Sequence, residues 1–282
     1  MSYQPSALRL QREAARRRAS RRSLALAGVS TIFLSAVLIT VITGAKGFVP
    51  VKETFFSWHY AQKSLPHVLT GLWLNLKVMV IAEIFVLVLG LLIALARTSN
   101  RPILFPLRII AAAYTDIFRG LPLLLVLLLV GFGIPGLRLS WLPNNAVLLG
   151  TVSLILTYSA YVAEVIRAGI EAVNPAQRMA ARALGLSQAQ TQRRIVLPQA
   201  FRKVTPPLLN DLVSLQKDSG LISVLGAIDA IRAAGIDTAL TFNFTPYVVA
   251  GLLFVALTIP LTRFTDWLTR RQDRARQQQG QW

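Results

Sequence analysis

Six apolar runs, each long enough to cross a bilayer and almost free of charge, constrain this chain more than any other feature. They fall near residues 24–44, 68–96, 107–133, 146–169, 206–226 and 245–267. A helix rises about 1.5 Å per residue, so about 20 residues cross a hydrocarbon core about 30 Å thick. Lipid offers no partner to a backbone N–H or C=O, so runs of this kind must cross as helices. The expected fold class is therefore an all-α membrane protein with six transmembrane helices.

The charges sit in the gaps. Residues 1–22 form a basic tail with seven arginines (Arg9, Arg12, Arg16, Arg17, Arg18, Arg21 and Arg22) against one acid, Glu13. The uncharged stretch Ser23 to Ala45 exceeds the ~7–15 residues of a signal-peptide core and reads as a retained first span. Arg97, Arg101 and Arg108 flank the second and third runs, seven cations lie between Arg167 and Lys203, and five lie between Arg263 and Arg276. The alternate connections hold only Lys46, Lys52, Lys63, Arg138 and Arg232. The positive-inside rule then assigns both termini and residues 97–106, 170–205 and 268–282 to the cytosol.

A net charge of +18 raises the question of nucleic acid. A nucleic-acid reader gathers its arginines on a soluble face with aromatic or groove-reading elements, whereas these arginines separate apolar runs, so no nucleic-acid partner is expected. The absence of cysteine excludes disulfides, thiolate zinc sites and cysteine nucleophiles. His59 and His67 are isolated near a membrane boundary, beside Trp58 and Tyr60, and no metal site is assigned to them.

The insert at residues 174–203 reads NPAQRMAARALGLSQAQTQRRIVLPQAFRK. Asn174 is a good cap for a helix started by Pro175, and Gly185 suits its end. Ser187 and Gln190 have capping-box spacing, so a second helix should open there and run towards Pro198. Ala176, Ala180 and Ala183 fall at i, i+4 and i+7 and leave one face of the first helix without bulk. Arg178, Arg182, Arg193 and Arg194 keep the insert out of lipid. From its residues alone, the insert is either a docking surface or an ordinary basic loop holding a cytosolic end in place.

The spacing resembles the signature loop of permease subunits of ATP-binding-cassette importers: E-A-A, three residues, Gly, nine residues, I-x-L-P. Met179, Ala180 and Ala181 are followed at the matching intervals by Gly185 and Leu186, then by Ile195, Leu197 and Pro198. Met179 stands where the family usually has Glu, so the polar contact expected of that Glu is not carried over. LPQAFR at 197–202, FRGLP at 118–122 and AYVAEVIRAGI at 160–170 are similar to the polar-amino-acid branch of the family, and the resemblance covers roughly residues 68–270.

The resemblance implies a type I importer-permease bundle with a cytosolic helix-turn-helix coupling loop. It divides the chain into a basic tail (1–22), a first transmembrane helix with an external segment (23–67), a permease core (68–270) carrying the loop at 174–203, and a C-terminal tail (271–282). The implied partners are two ATPase subunits, a second permease subunit, identical or related, and an extracytoplasmic substrate-binding protein. The implied location is a bacterial cytoplasmic membrane, and the implied cargo is a polar amino acid. The sequence has no G-x-x-x-x-G-K-[ST], so ATP is expected on the partner subunits, and the chain itself should be a cofactor-free transporter subunit rather than an enzyme.

Lys77, Glu83, Asp116, Arg119, Glu164, Lys217 and Asp218 fall within or close to the apolar runs, where a charge costs at least ~2.5–3.5 kcal/mol. Such groups should face protein, a partner or a water-filled path. Arg119, Glu164, Lys217 and Asp218 are the substrate-path candidates. Each also has a plainer reading: packing at FRGLP for Arg119, an i, i+3 pair with Arg167 for Glu164, and a structural ion pair for Lys217 and Asp218, with Glu164, Glu83 or the second permease half as partner. A further alternative is an ion-coupled secondary transporter using the intramembrane carboxylates, although inverted repeats with interrupted helices in both halves are not visible.

Overall fold

The computed structural model describes residues 7–99, 102–138 and 144–279. Residues 1–6 of the basic tail, Arg101 at the second cytosolic gap, Leu139, and residues 280–282 of the C-terminal tail lie outside the described residues. Every regular element among the described residues is helical. The chain divides into two compact units, Met1–Phe56 and Ser57–Trp282.

The first unit holds α1 (Ala7–Gly44) and α2 (Phe48–Phe55). The basic tail and the first apolar run thus share one helix, and the connection after Gly44 folds into a short helix of its own. The division between these two units falls between Phe56 and Ser57. Ser57 takes extended backbone angles, and α3 (Trp58–Thr98) starts directly after it. Pro66 removes one ladder bond inside α3 without ending it.

The second unit continues with α4 (Phe105–Gly120), α5 (Leu123–Gly136), α6 (Ala146–Glu171), α7 (Pro175–Ala183), α8 (Gln188–Thr191), α9 (Leu197–Asp218), α10 (Ala230–Thr241) and α11 (Thr245–Gln279). Among the described residues four stretches are long and apolar enough to cross a membrane singly: Leu26–Gly44, Phe48–Thr98, Ala146–Glu171 and Thr245–Arg271. Two bent pairs raise the number to as many as six.

The third apolar run is one of those pairs. α4 and α5 meet at 108°. Pro122 lacks an N–H and bars the α region to the residue before it, and Leu121 accordingly sits at φ −94°, ψ 137°. FRGLP is therefore a corner between two helices. The other pair joins residues 188–225 to α10 at 49°, through a 3₁₀ segment (Ser219–Leu225) and Gly226 at φ +90°. The fifth run also starts earlier than residue 206. Pro206 and Pro207 lie inside α9, where their fixed φ is helical, and do not begin it.

α3 packs most extensively on α6, and α6 on α9. Their shared core contains Val78, Val86, Leu154, Val162, Ile166 and Leu215, all at most 3% exposed. A smaller core joins Val68 and Leu72 of α3 to Ala230 and Ala234 of α10 and Val249 of α11. The outer face of α3 presents Ile81, Ile84, Phe85, Val88 and Leu92 to its surroundings. A stripe of that kind suits lipid contact.

Candidate coupling loop and translocation cavity

The insert folds as a helix, a tight reversal and a second helix. Asn174 Oδ1 accepts the N–H of Ala176 at 2.9 Å, so the cap read from the sequence forms. At the other end of α7 the N–H of Leu186 bonds to the Ala181 carbonyl at 3.1 Å and that of Gly185 to Arg182 at 3.0 Å. This is a Schellman closure, and it requires Gly185 in the left-handed region, at φ +82°. Ser187 and Gln190 then form the reciprocal capping box.

The second helix does not stop at Pro198. α8 passes through a π turn (Gln192–Val196) straight into α9, whose first turn holds Pro198, where a missing N–H is tolerated. Two cations anchor the start of the insert: Arg178 and Lys203 donate to the Ile170 and Ala172 carbonyls at the end of α6. Cations are favoured at that end by the helix dipole.

The loop residues divide by exposure. Met179 is 65% and Leu184 84% exposed, and Ala176, Ala180 and Ala183 are exposed beside them. Ala181 is 4% exposed and packs inward, and Leu186, Ile195 and Leu197 are partly covered. The small-residue face of α7 is thus open, and with Met179 and Leu184 it forms an apolar surface in an arginine-rich setting.

Glu164 is the centre of an ion cluster. Arg167 of the same helix reaches it at 2.5 Å, Arg97 from the last turn of α3 at 2.7 Å, and Arg119 from the last turn of α4 at 3.8 Å. Arg167 also pairs with Glu171 at 2.6 Å. The i, i+3 pair therefore forms, and Arg119 joins it. Glu164 is consumed by these arginines and is not the partner of Lys217 or Asp218.

Asp218 lies elsewhere, on a cavity of about 260 Å³. Thr157, Tyr158 and Tyr161 of α6, Asp211, Ser214 and Asp218 of α9, and Leu123 at the start of α5 form its walls. Asp211, Ser214 and Asp218 fall at i, i+3 and i+7, which puts them on one helix face. The Tyr158 hydroxyl donates to Asp218 Oδ2 at 2.7 Å. Asp211 Oδ2 and Thr157 Oγ1 are buried without a partner among the described residues. Lys217 is exposed and is not part of this wall.

Asp211 is missing from the intramembrane charges read above, although it lies within the fifth apolar run. The D-x-x-S-x-x-x-D spacing is the signal that marks it, because only the i+7 relation reveals that it shares a face with Asp218. Lys77 and Asp116 are exposed, with the Lys77 ammonium over the Trp73 ring at 5.6 Å from its centre.

A family model described as the binding-protein-dependent transport system inner membrane component matches residues 87–274. The chain belongs to this family. It is 38% identical over 200 residues to the arginine transport system permease protein ArtQ of Bacillus subtilis (strain 168), covering 70% of this chain and 89% of that protein. It is 40% identical over 205 residues to a putative glutamine transport system permease protein GlnP of Rickettsia bellii (strain RML369-C), covering 71% and 91%. The crystal structure of an amino acid ABC transporter with histidines superposes with a TM-score of 0.67 at 35% identity, covering 74% of this chain and 95% of that one. The helical bundle is thus that of an ATP-binding-cassette importer permease, the membrane component of a system whose ATPase and binding protein are separate partners.

Proposed function

We propose that this permease carries polar amino acids across a bacterial cytoplasmic membrane, pairs with a second permease subunit, and is driven by two ATPase subunits docked on the 174–203 loop. Both termini are cytosolic in this reading, which the distribution of lysine and arginine supports. The names of its relatives, with arginine and glutamine as cargo, support the class of substrate.

The observation that carries the coupling role is continuity. The second helix of the insert runs without a break into α9, and α9 brings Asp211 and Asp218 to the cavity. α9 has 22 residues, a lever about 33 Å long at the rise of a helix. A displacement of the apolar face of α7 by a closing ATPase reaches α8 through the Schellman turn and the capping box, and reaches the cavity wall through α9. The Glu164 cluster ties α3, α4 and α6 together and gives that lever a fixed body to move against.

Gly185 is the position to test. A Cβ there would meet nothing within 4 Å, so a substitution acts through the backbone alone. Left-handed geometry costs an ordinary L-residue about 1–2 kcal/mol and asparagine less. In proteoliposomes holding the permease, its ATPase and its binding protein, Gly185→Val should abolish ATP-driven amino-acid uptake with the chain still inserted, and Gly185→Asn should retain part of it. Full uptake by Gly185→Val would remove the coupling role from the loop.

A further inference from the structure

We infer that the α6–α9 cavity selects amino acids whose side chain bears a positive charge, with Asp211 as the specificity-determining residue. The inference rests on the cavity being the substrate's station, and adds the charge class that the station accepts.

The cavity has an excess of carboxylate. Asp211 and Asp218 share one face of α9 and one wall. Among the described residues no lysine or arginine lines the cavity with them. Lys217 is exposed, and Arg97, Arg119 and Arg167 are engaged by Glu164. Like charges in one low-dielectric wall repel unless a cation joins them, and the described residues of this lining contribute none.

Two further groups wait for a ligand. Thr157 is 1% exposed, its hydroxyl has no partner, and it sits in the cavity wall. Asp211 Oδ2 is likewise buried and unpaired. Asp218 is already satisfied on one oxygen by Tyr158, so Asp211 is the carboxylate with more free capacity.

The opposite charge of an amino acid also has a place. α5 begins at the cavity with Leu123; the N–H groups of Leu125 and Val126 bond the Pro122 carbonyl, and those of Leu123 and Leu124 have no acceptor within the helix. Together with the Thr157 hydroxyl they suit the substrate carboxylate. The ammonium then neutralises one aspartate, and a second, side-chain cation neutralises the other. Tyr158 and Tyr161, edge to face with centres 6.2 Å apart, offer a ring surface to a guanidinium or ammonium group. Glutamine leaves one carboxylate unpaired, and glutamate adds a further negative charge.

The deciding experiment is direct binding of radiolabelled L-arginine, L-lysine, L-glutamine and L-glutamate to the purified permease–ATPase complex in nanodiscs. The binding protein is omitted so that its own selectivity does not enter. Arginine and lysine should bind at least about tenfold more tightly than glutamine, and glutamate least. Asp211→Asn should weaken arginine about tenfold while changing glutamine less than about twofold, and Asp211→Glu should restore the preference. Glutamine or glutamate binding as tightly as arginine overturns the charge selection and leaves the station intact. An intact complex that binds none of the four overturns both. If Asp211→Asn fails to assemble, the wild-type preference and its retention in Asp211→Glu still decide the outcome.

Discussion

Asn75 of α3 and Asp229, the residue that caps α10, are joined in the buried interior: Asn75 Nδ2 donates to Asp229 Oδ2 at 3.0 Å. The same Nδ2 donates to the Ser219 carbonyl at 2.9 Å, and Asn75 Oδ1 accepts the N–H of Ala230 at 3.1 Å. One side chain thus satisfies three groups where the fifth apolar run breaks. Gly71, one turn earlier, allows the approach, since a Cβ there would stand 2.3 Å from the Asp229 carbonyl carbon.

Replacing Asn75 should therefore destabilise the bend more than a change of volume would. Asn75→Leu keeps the bulk but strands Asp229 Oδ2, the Ala230 N–H and the Ser219 carbonyl, each worth about 1–3 kcal/mol when buried and unpaired. The expected result is a marked fall in the thermal midpoint of the detergent-solubilised protein, read by the loss of its monodisperse chromatographic peak on heating. An unchanged midpoint would mean that water replaces the amide at no cost.

The Glu164 cluster gives an asymmetric prediction. Glu164→Gln leaves Arg97, Arg119 and Arg167 close together with Glu171 as their remaining acid, whereas Arg119→Ala removes a partner that is itself 41% exposed and 3.8 Å away. Glu164 is partly solvated, so its loss should cost less than the ~3–5 kcal/mol of a fully buried pair. Arg119→Ala should cost under about 1 kcal/mol. Thermal midpoints of the two variants and of Arg97→Ala, measured side by side, should rank Glu164→Gln lowest. Equal midpoints for Glu164→Gln and Arg119→Ala would mean that the arginines do not depend on this carboxylate.

The parts of this fold that were legible in the sequence are those fixed by local chemistry. Length and apolarity gave the helical runs, Asn174, Gly185, Ser187 and Gln190 gave the ends of the loop helices, and Glu164 with Arg167 gave an i, i+3 pair. The corner at Leu121–Pro122 is not readable from FRGLP alone, because proline biases the residue before it but the angle between two helices depends on what each packs against. The cavity needed tertiary information for the same reason. Thr157 and Asp211 are 54 positions apart in the chain and meet only because α6 packs on α9. Within the apolar run 206–226 Lys217 stands near the middle. It lies near the end of the helix begun at Leu197, exposed, one residue from the face that carries Asp218.

The insert can be mapped without assuming anything about transport, because the chain contains no cysteine. Ala183 is exposed, whereas Ala181, two residues earlier on α7, is 4% exposed and turned inward. In membrane vesicles a membrane-impermeant maleimide should modify Ala183→Cys rapidly and Ala181→Cys at least about tenfold more slowly, since thiol reactivity requires access. Denaturing the vesicles in SDS should remove the difference. With the loop in the cytosol, Ala183→Cys should react in inverted vesicles and not in right-side-out ones. Adding the purified ATPase should then slow its modification, because the apolar face of α7 that carries Ala183 is the face proposed to dock. Reaction from the outside would reverse the orientation drawn from the lysine and arginine distribution, and ATPase-independent labelling in inverted vesicles would move the docking surface off α7.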